Sequence, residues 1–357
     1  MPDLLDHVGG IARISQAFVI AATRWADTHG RGLVVCALKD AGRTRDVSVC
    51  PPRVDYRAYD GRRWRLARDV VALGLRQAAT PMVFGHVNLA PLGVAARTRG
   101  GRFAVVAHGI EIWQPLSSVR VAALRAAHEV WPVSAYTGDA LARRGVRPER
   151  IAVIHNCLDP RRALVEPVEP PDAPPRFLAV SRLGTGERDK GVDRLIAAFA
   201  RADLPAGAGL DVVGDGDDRP RLEALARASG AGDRVVFHGR VDDAEVDRLM
   251  DAARAFALPS RVEGFGLVFV EAMARGRAVI AARATAVPEV VADGETGLLV
   301  DFEDEQALVA ALERLGRDRA LAAGLGRAGR LRVERHFHFD RYAEAVARAL
   351  DRLVADA

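Results

Sequence analysis

The residues best equipped for chemistry lie in Arg261–Arg275, RVEGFGLVFVEAMAR, where Glu263 precedes the turn Gly264-Phe265-Gly266 and Glu271 follows eight residues after Glu263. Glycines ahead of an apolar helical run let a ligand approach the backbone, and the exposed amides of a first helical turn attract anions. Phosphate suits that turn. Glu263 in the loop and Glu271 one turn into the helix would accept hydrogen bonds from hydroxyls on either side of it, the layout of a sugar, a diphosphate and a ribose. A second chemical element is Ser181–Gly191, SRLGTGERDKG, a glycine-rich loop carrying the cations Arg182 and Lys190. Lys39 and Lys190 are the only lysines among 51 basic residues, and a compact ammonium reaching a phosphate as a point charge explains a lysine in an arginine-rich chain.

Both elements need a scaffold that ends apolar strands beside glycine-rich turns. Short apolar runs alternate with amphipathic segments after residue 176: strands at Phe177–Ser181, Leu210–Val213, Val235–Phe237, Ala255–Leu258 and Ala278–Ala281, and helices at Val192–Arg201, Pro220–Ala228, Ala244–Ala253, Leu267–Arg275 and Glu305–Leu315. That alternation predicts an α/β domain with a doubly wound parallel sheet, whose carboxyl edge is where anionic ligands bind. The first half alternates too, with strands expected at Leu33–Ala37, Val47–Cys50, Met82–Phe84, Phe103–Ala107, Val130–Val133 and Ile151–His155. The Pro-rich stretch Pro160–Pro175 can be neither helix nor central strand, so domains are expected at 1–160 and 176–335 with a linker at 161–175. Helical spacing returns in 336–357, a segment able to pack back on the first domain. Only MPDLLDHV precedes Gly9-Gly10, so the apolar strand that normally opens such a domain is missing or truncated. The expectation is a polypeptide that begins upstream of Met1, the alternative an atypical strand around Leu4–Leu5.

The 357 residues, 49% hydrophobic and 27% charged with mean hydropathy +0.01, exclude disordered, fibrous and single small-domain readings. Three widely spaced cysteines, Cys36, Cys50 and Cys157, form neither a disulfide framework nor a zinc site, which points to a cytoplasmic chain. No apolar stretch approaches the roughly 20 residues of a membrane span. Charge is uneven: residues 1–170 carry a net +9 and 171–357 a net −5. Tyr56–Arg68, YRAYDGRRWRLAR, packs five arginines and three large aromatics together, the composition of a peripheral patch for an acidic membrane at the inner face. Nucleic acid is not expected, because no base-stacking platform accompanies the arginines. A nicotinamide dehydrogenase would need a G-x-G-x-x-G turn after a first strand, which is absent.

Taken together, the Arg182 and Lys190 couple and the E-x7-E run from Glu263 to Glu271 resemble the retaining GT-B glycosyltransferases of family 4. The resemblance continues through Gly9-Gly10, HGIEIW at 108–113, VSAYT at 133–137, HNCLD at 155–159, VVGDGD at 212–217, FHGRV at 237–241, LPS at 258–260 and AVPEVVADGETGLLV at 286–300. It implies two Rossmann-like domains facing across a cleft, and roles for individual residues. Arg182 and Lys190 would neutralise the diphosphate, Glu271 would bind the ribose, and Glu263 with the amides of Phe265, Gly266 and Leu267 beside Gly264 would hold the transferred sugar. Gly10 would allow close backbone approach, His108 would touch sugar or acceptor, and the backbone around His238–Val241, including Arg240, would meet the base. The resemblance implies no metal and no cofactor, a nucleotide diphosphate sugar as co-substrate, and a hexose moved to a glycan or polyprenyl-linked acceptor in envelope or exopolysaccharide synthesis. A nucleotide-sugar epimerase on the same fold, or an inactive sugar-nucleotide-binding homologue, is the alternative. Glu263 as a covalent nucleophile ranks below its sugar-binding role. Two departures stand out: Glu187-Arg188-Asp189 lengthen the spacing between Arg182 and Lys190, and Cys157 follows Asn156 where relatives often have glycine.

Overall fold

The computed structural model describes residues 1–6, 9–43, 46–76, 80–97, 101–162, 164, 166, 169 and 172–355, so part of the Pro-rich stretch lies outside the described residues. The chain forms two compact units, Met1–Arg162 with Phe337–Ala357, and Ala163–His336.

The first unit runs α1 (Gly10–Thr28), β1 (Val34–Ala37), β2 (Asp55–Ala58), α2 (Arg63–Arg76), β3 (Met82–Phe84), α3 (Ala90–Arg97), β4 (Phe103–Ala107), α4 (Ile110–Trp113), α5 (Ser118–Ala126), β5 (Glu129–Pro132) and α6 (Ala135–Arg143). Its strands are parallel but fall into two sheets, β1-β2 and β3-β4-β5. Helices screen β4 from water, which is why its sequence FAVVA is apolar without alternation. One helix contributed from the far end of the chain, Phe339–Ala355, lays Tyr342, Val346, Leu350 and Leu353 against Ile14, Phe18 and Ala21 of α1.

Two expected strands are absent. Residues 47–50 form a turn, because the Asp46 carboxylate accepts from the Ser48 amide at 2.9 Å and the Ser48 hydroxyl at 2.6 Å, while the Asp46 carbonyl accepts from the amides of Val49 and Cys50. Val49 and Cys50 are buried, so their apolarity reports packing rather than pleat. The strand lies later, at β2. Residues 151–155 form no regular strand, although they run beside β5: Ile151 bridges Val130 in parallel, and the amides of Ala152 and Ile154 donate to the carbonyls of Val130 and Pro132 at 3.0 and 2.9 Å. The Tyr56–Arg68 patch is also narrower than its composition suggests. The Tyr56 hydroxyl donates to Asp40 Oδ2 at 2.7 Å and the Tyr59 hydroxyl to Asp69 Oδ2 at 3.1 Å, which leaves Trp64, 63% exposed, as the outward aromatic.

The second unit runs β6 (Arg176–Val180), α7 (Val192–Arg201), β7 (Gly209–Val213), α8 (Arg219–Ala228), β8 (Val235–Gly239), α9 (Asp243–Ala252), β9 (Ala255–Leu258), α10 (Leu267–Ala274), β10 (Ala278–Ala282), α11 (Val287–Val290), β11 (Gly297–Val300), α12 (Glu305–Arg317) and α13 (Arg319–Arg332). A π-helical turn at Val333–Phe337 leads into the helix of the first unit, α14 (Phe339–Ala355). All six strands pair in parallel in the order β8-β7-β6-β9-β10-β11, a doubly wound sheet that reverses its winding between β6 and β9. Aspartates start several of the helices: Asp242, Asp304 and Asp318 each accept a first-turn amide at 2.8–2.9 Å.

Candidate active site

The winding reversal between β6 and β9 puts the loops that follow them side by side, the position where open α/β sheets bind ligands. Residues 181–191 leave β6 and residues 259–266 leave β9. They come close at Gly191, φ +71°, where a Cβ would stand 2.5 Å from the Pro259 carbonyl oxygen. Only glycine suits that contact and that conformation together. Asp189 fastens the loops: its carbonyl accepts from the Arg261 amide at 2.7 Å and its carboxylate from the Arg261 guanidinium at 2.5 Å. The other two residues that lengthen this loop are also paired, Arg188 with Asp218 at 3.0 Å and Glu187 with Arg182.

This staple brings Lys190 to Glu263, with Nζ donating to Oε1 at 2.7 Å. Both side chains are largely withdrawn from water, at 17% and 11% exposure, so neither charge is well solvated and each depends on the other. The Glu263 backbone is fixed by Thr285, whose hydroxyl accepts from the Glu263 amide at 3.1 Å and donates to its carbonyl at 3.0 Å. Thr285 sits in the loop after β10 at φ +48°, an uncommon place for a β-branched residue, and the two hydrogen bonds hold it there.

Beyond Glu263 the chain turns through Gly264 and buried Phe265 to Gly266, whose φ of +90° starts α10. A side chain there would overlap the Phe269 ring at 2.5 Å. Leu267 opens the helix and half-buried Glu271 stands one turn along it. Arg182 is 80% exposed, so it reaches outward from the same sheet edge. Arg240 is exposed just past β8, two strands along from β6 on that edge. The neighbouring His238 ring is held by Asp211 at 2.7 Å, and Asp211 also pairs with Arg176 at 2.6 Å. That imidazole supports the sheet.

Lys190, Glu263 and the start of α10 therefore come together in the second unit. Gly10 and His108 belong to the first. Gly10 is exposed and opens α1. His108 follows β4, and its Nε2 lies 2.9 Å from the Gly85 carbonyl. A carbonyl only accepts, so Nε2 carries the proton and Nδ1 is left as the basic nitrogen. Its amide donates to Glu111 Oε1 at 2.7 Å, and its ring stands 5.8 Å from that of His86. Burial holds His86 below the ordinary imidazole value, favouring its neutral form. Sequence reasoning missed His86, although FGH at the end of β3 parallels the AHG that follows β4. It also missed Thr285, and it noted Asp189 only as part of a lengthened loop, without its role as a fastener. No group of three or more His, Cys, Asp or Glu side chains converges among the described residues.

The arrangement offers a cation, a helix start and two carboxylates within one sheet edge. The family described as "Glycosyl transferases group 1" matches residues 161–332, and "Glycosyltransferase Family 4" matches residues 15–162. A GDP-mannose-dependent alpha-(1-6)-phosphatidylinositol monomannoside mannosyltransferase of Mycolicibacterium smegmatis is 33% identical over 267 residues, 68% of each chain. This chain belongs to the family 4, group 1 glycosyltransferases. A glycogen synthase of Mycobacterium tuberculosis is 29% identical to this glycosyltransferase over 325 residues, 90% of this chain and 74% of that one. Sucrose-phosphate synthase from Thermosynechococcus elongatus superposes with a TM-score of 0.78 at 26% identity, covering 99% and 96% of the two chains. Anabaena HepE in complex with UDP gives a TM-score of 0.81 at 22% identity over 98% of each chain, a likeness of fold. The fold of this glycosyltransferase is GT-B. No described helix is long and apolar enough to cross a membrane.

Proposed function

We propose that this glycosyltransferase is a retaining, metal-independent hexosyltransferase that moves a mannose- or glucose-type sugar from a nucleotide diphosphate donor to a glycan or lipid-linked acceptor of the cell envelope or an exopolysaccharide. The observation that carries this reading is the Lys190–Glu263 pair beside the glycine-rich start of α10. An arriving pyrophosphate would take Lys190 from Glu263. The released carboxylate would then accept hydroxyls of the donor sugar, so one exchange of partners prepares both ends of the glycosidic bond. Lys190, Arg182 and the amides at Gly266 and Leu267 would stabilise the diphosphate as it leaves, charge stabilisation of the sort that usually dominates catalysis. Glu271 would take the ribose and the backbone at Arg240 the base. Gly10 and His108 would serve the acceptor side. In a retaining transfer the acceptor hydroxyl attacks from the face the diphosphate leaves, and a phosphate oxygen takes its proton. No cofactor enters this scheme.

A panel of GDP-, UDP- and ADP-sugars tests it by thermal shift and by release of nucleoside diphosphate. The most informative first donor is GDP-mannose, named for the mycolicibacterial relative. Lys190→Ala and Glu263→Ala are each expected to lower kcat by about 10²–10³-fold; full turnover in both variants would remove the site assignment.

We further infer contact with acidic lipid at the inner face of a membrane, through exposed Trp64 and the exposed arginines 62, 63 and 65 around it. Arg65 lies over the Trp64 ring at 5.2 Å and Arg68 at 5.9 Å, so indole and cations present one surface suited to headgroups. Sedimentation with phosphatidylglycerol vesicles is expected to weaken in salt and in Trp64→Ala, whereas salt-insensitive or unchanged binding would place the contact elsewhere.

A further inference from the structure

The first unit contains an apolar cavity of about 690 Å³ between β1 and β3. Residues 34–36 of β1 line one side and residues 82–84 of β3 the other, with Phe18 of α1 and Leu66 and Val70 of α2 among the side chains that close it. The two strands bordering this gap belong to separate sheets, each hydrogen-bonded to a neighbour on its far side. Backbone amides and carbonyls along two facing strand edges need polar partners, which apolar side chains cannot supply.

Met1 stands at one end of the gap and already forms part of such a partner. Its amine donates to the Cys36 carbonyl at 2.6 Å and its carbonyl accepts from the Leu38 amide at 3.0 Å, the two bonds of a parallel rung opposite Ala37. Its side chain fills the space over Gly85, the residue after β3. Met1 thus touches the carboxyl ends of both bordering strands at once. Its amine is buried, and burial pushes it below the ordinary α-amino value. A peptide nitrogen in the same place would make the same bond to Cys36 without a charge to desolvate.

We propose that the gap holds a β-strand of about four residues, joined by a peptide bond to the Met1 nitrogen and running parallel between β1 and β3. With it the first unit has one six-stranded sheet in the order β2-β1-new strand-β3-β4-β5, the same winding as the second unit. The strand has both faces buried, so its residues are an unbroken run of Val, Ile, Leu or Phe type. A lipid tail matches the cavity's apolarity but leaves the facing strand edges unpaired. A peptide satisfies both.

Two measurements test this. Mass spectrometry of the N-terminal peptide, on active protein purified from the organism that encodes it, is expected to show at least four largely apolar residues ahead of Met1; active protein that starts at Met1 overturns the proposal. In parallel, the chain is produced with a Val/Ile-rich extension before Met1 and with a Gly/Ser extension of equal length. The apolar extension is expected to raise Tm by about 4 °C or more and to slow amide exchange of residues 34–36 and 82–84 at least tenfold relative to the Gly/Ser one. Equal exchange in the two chains, or a co-purifying lipid retained by the apolar-extended chain in native mass spectra, overturns it.

Discussion

At Glu263 two kinds of restraint meet. Its carboxylate is held by Lys190, a bond the donor is proposed to break, and its backbone by Thr285, a bond that has no reason to break. Each neutral hydrogen bond contributes about 1 kcal/mol, so Thr285→Ala is expected to lower kcat/KM by roughly tenfold while Thr285→Ser, which restores the hydroxyl, recovers most of it. Steady-state kinetics with the best donor checks this, and equal losses in both variants would show that backbone strain rather than the hydroxyl matters. The run from Glu263 to Glu271 was legible in the sequence because both carboxylates flank a glycine turn that opens an apolar helix. Thr285 was not, since a threonine at positive φ looks like any other loop threonine until its partner 22 residues away is known.

Elements explain how such residues stay put. Asp218, at the start of α8, is buried and accepts from Arg221 at 2.6 Å and Arg188 at 3.0 Å, so it ties that helix to the loop carrying Lys190. Hydrogen bonding from Arg221, then from Arg188, outweighs burial and holds the Asp218 carboxyl below its ordinary value. A depressed folded value means that the stabilisation is complete above the ordinary aspartate range, about 4, and fades as pH falls through the lower folded value. Asp218→Asn is therefore expected to lower Tm at neutral pH, with the gap to the unmodified chain closing in strong acid; thermal scans across pH measure it. Strand and helix positions in the second unit were readable because parallel strands buried on both faces give plain apolar runs, as in AFAL of β9. In the first unit β2 was not, since its sequence DYRA is short, partly exposed and half charged, with no apolar run. The neighbouring apolar residues at 47–50 drew the assignment instead, although Asp46 folds them into a turn.

Over the whole molecule, the last helix belongs to the first unit's core. Phe339, Tyr342, Val346, Leu350 and Leu353 are buried there, Trp25 Nε1 donates to Asp351 at 2.7 Å, and Arg352 pairs with Glu129 at 2.7 Å. Burial of each large apolar side chain contributes about 1.5–3 kcal/mol, a total comparable with the stability of an entire domain. A chain ending at His336 is expected to lose the cooperative unfolding transition of the first unit and to keep that of the second, as calorimetry would register. The return of the chain also sets a timetable for biosynthesis. Every residue of the second unit leaves the ribosome before α14 does, whereas domains ordinarily complete themselves in the order they are translated. Here the unit begun first is finished last, so the nascent chain carries an open α1 surface until α14 emerges, and chaperones that shield apolar helices have that interval in which to act.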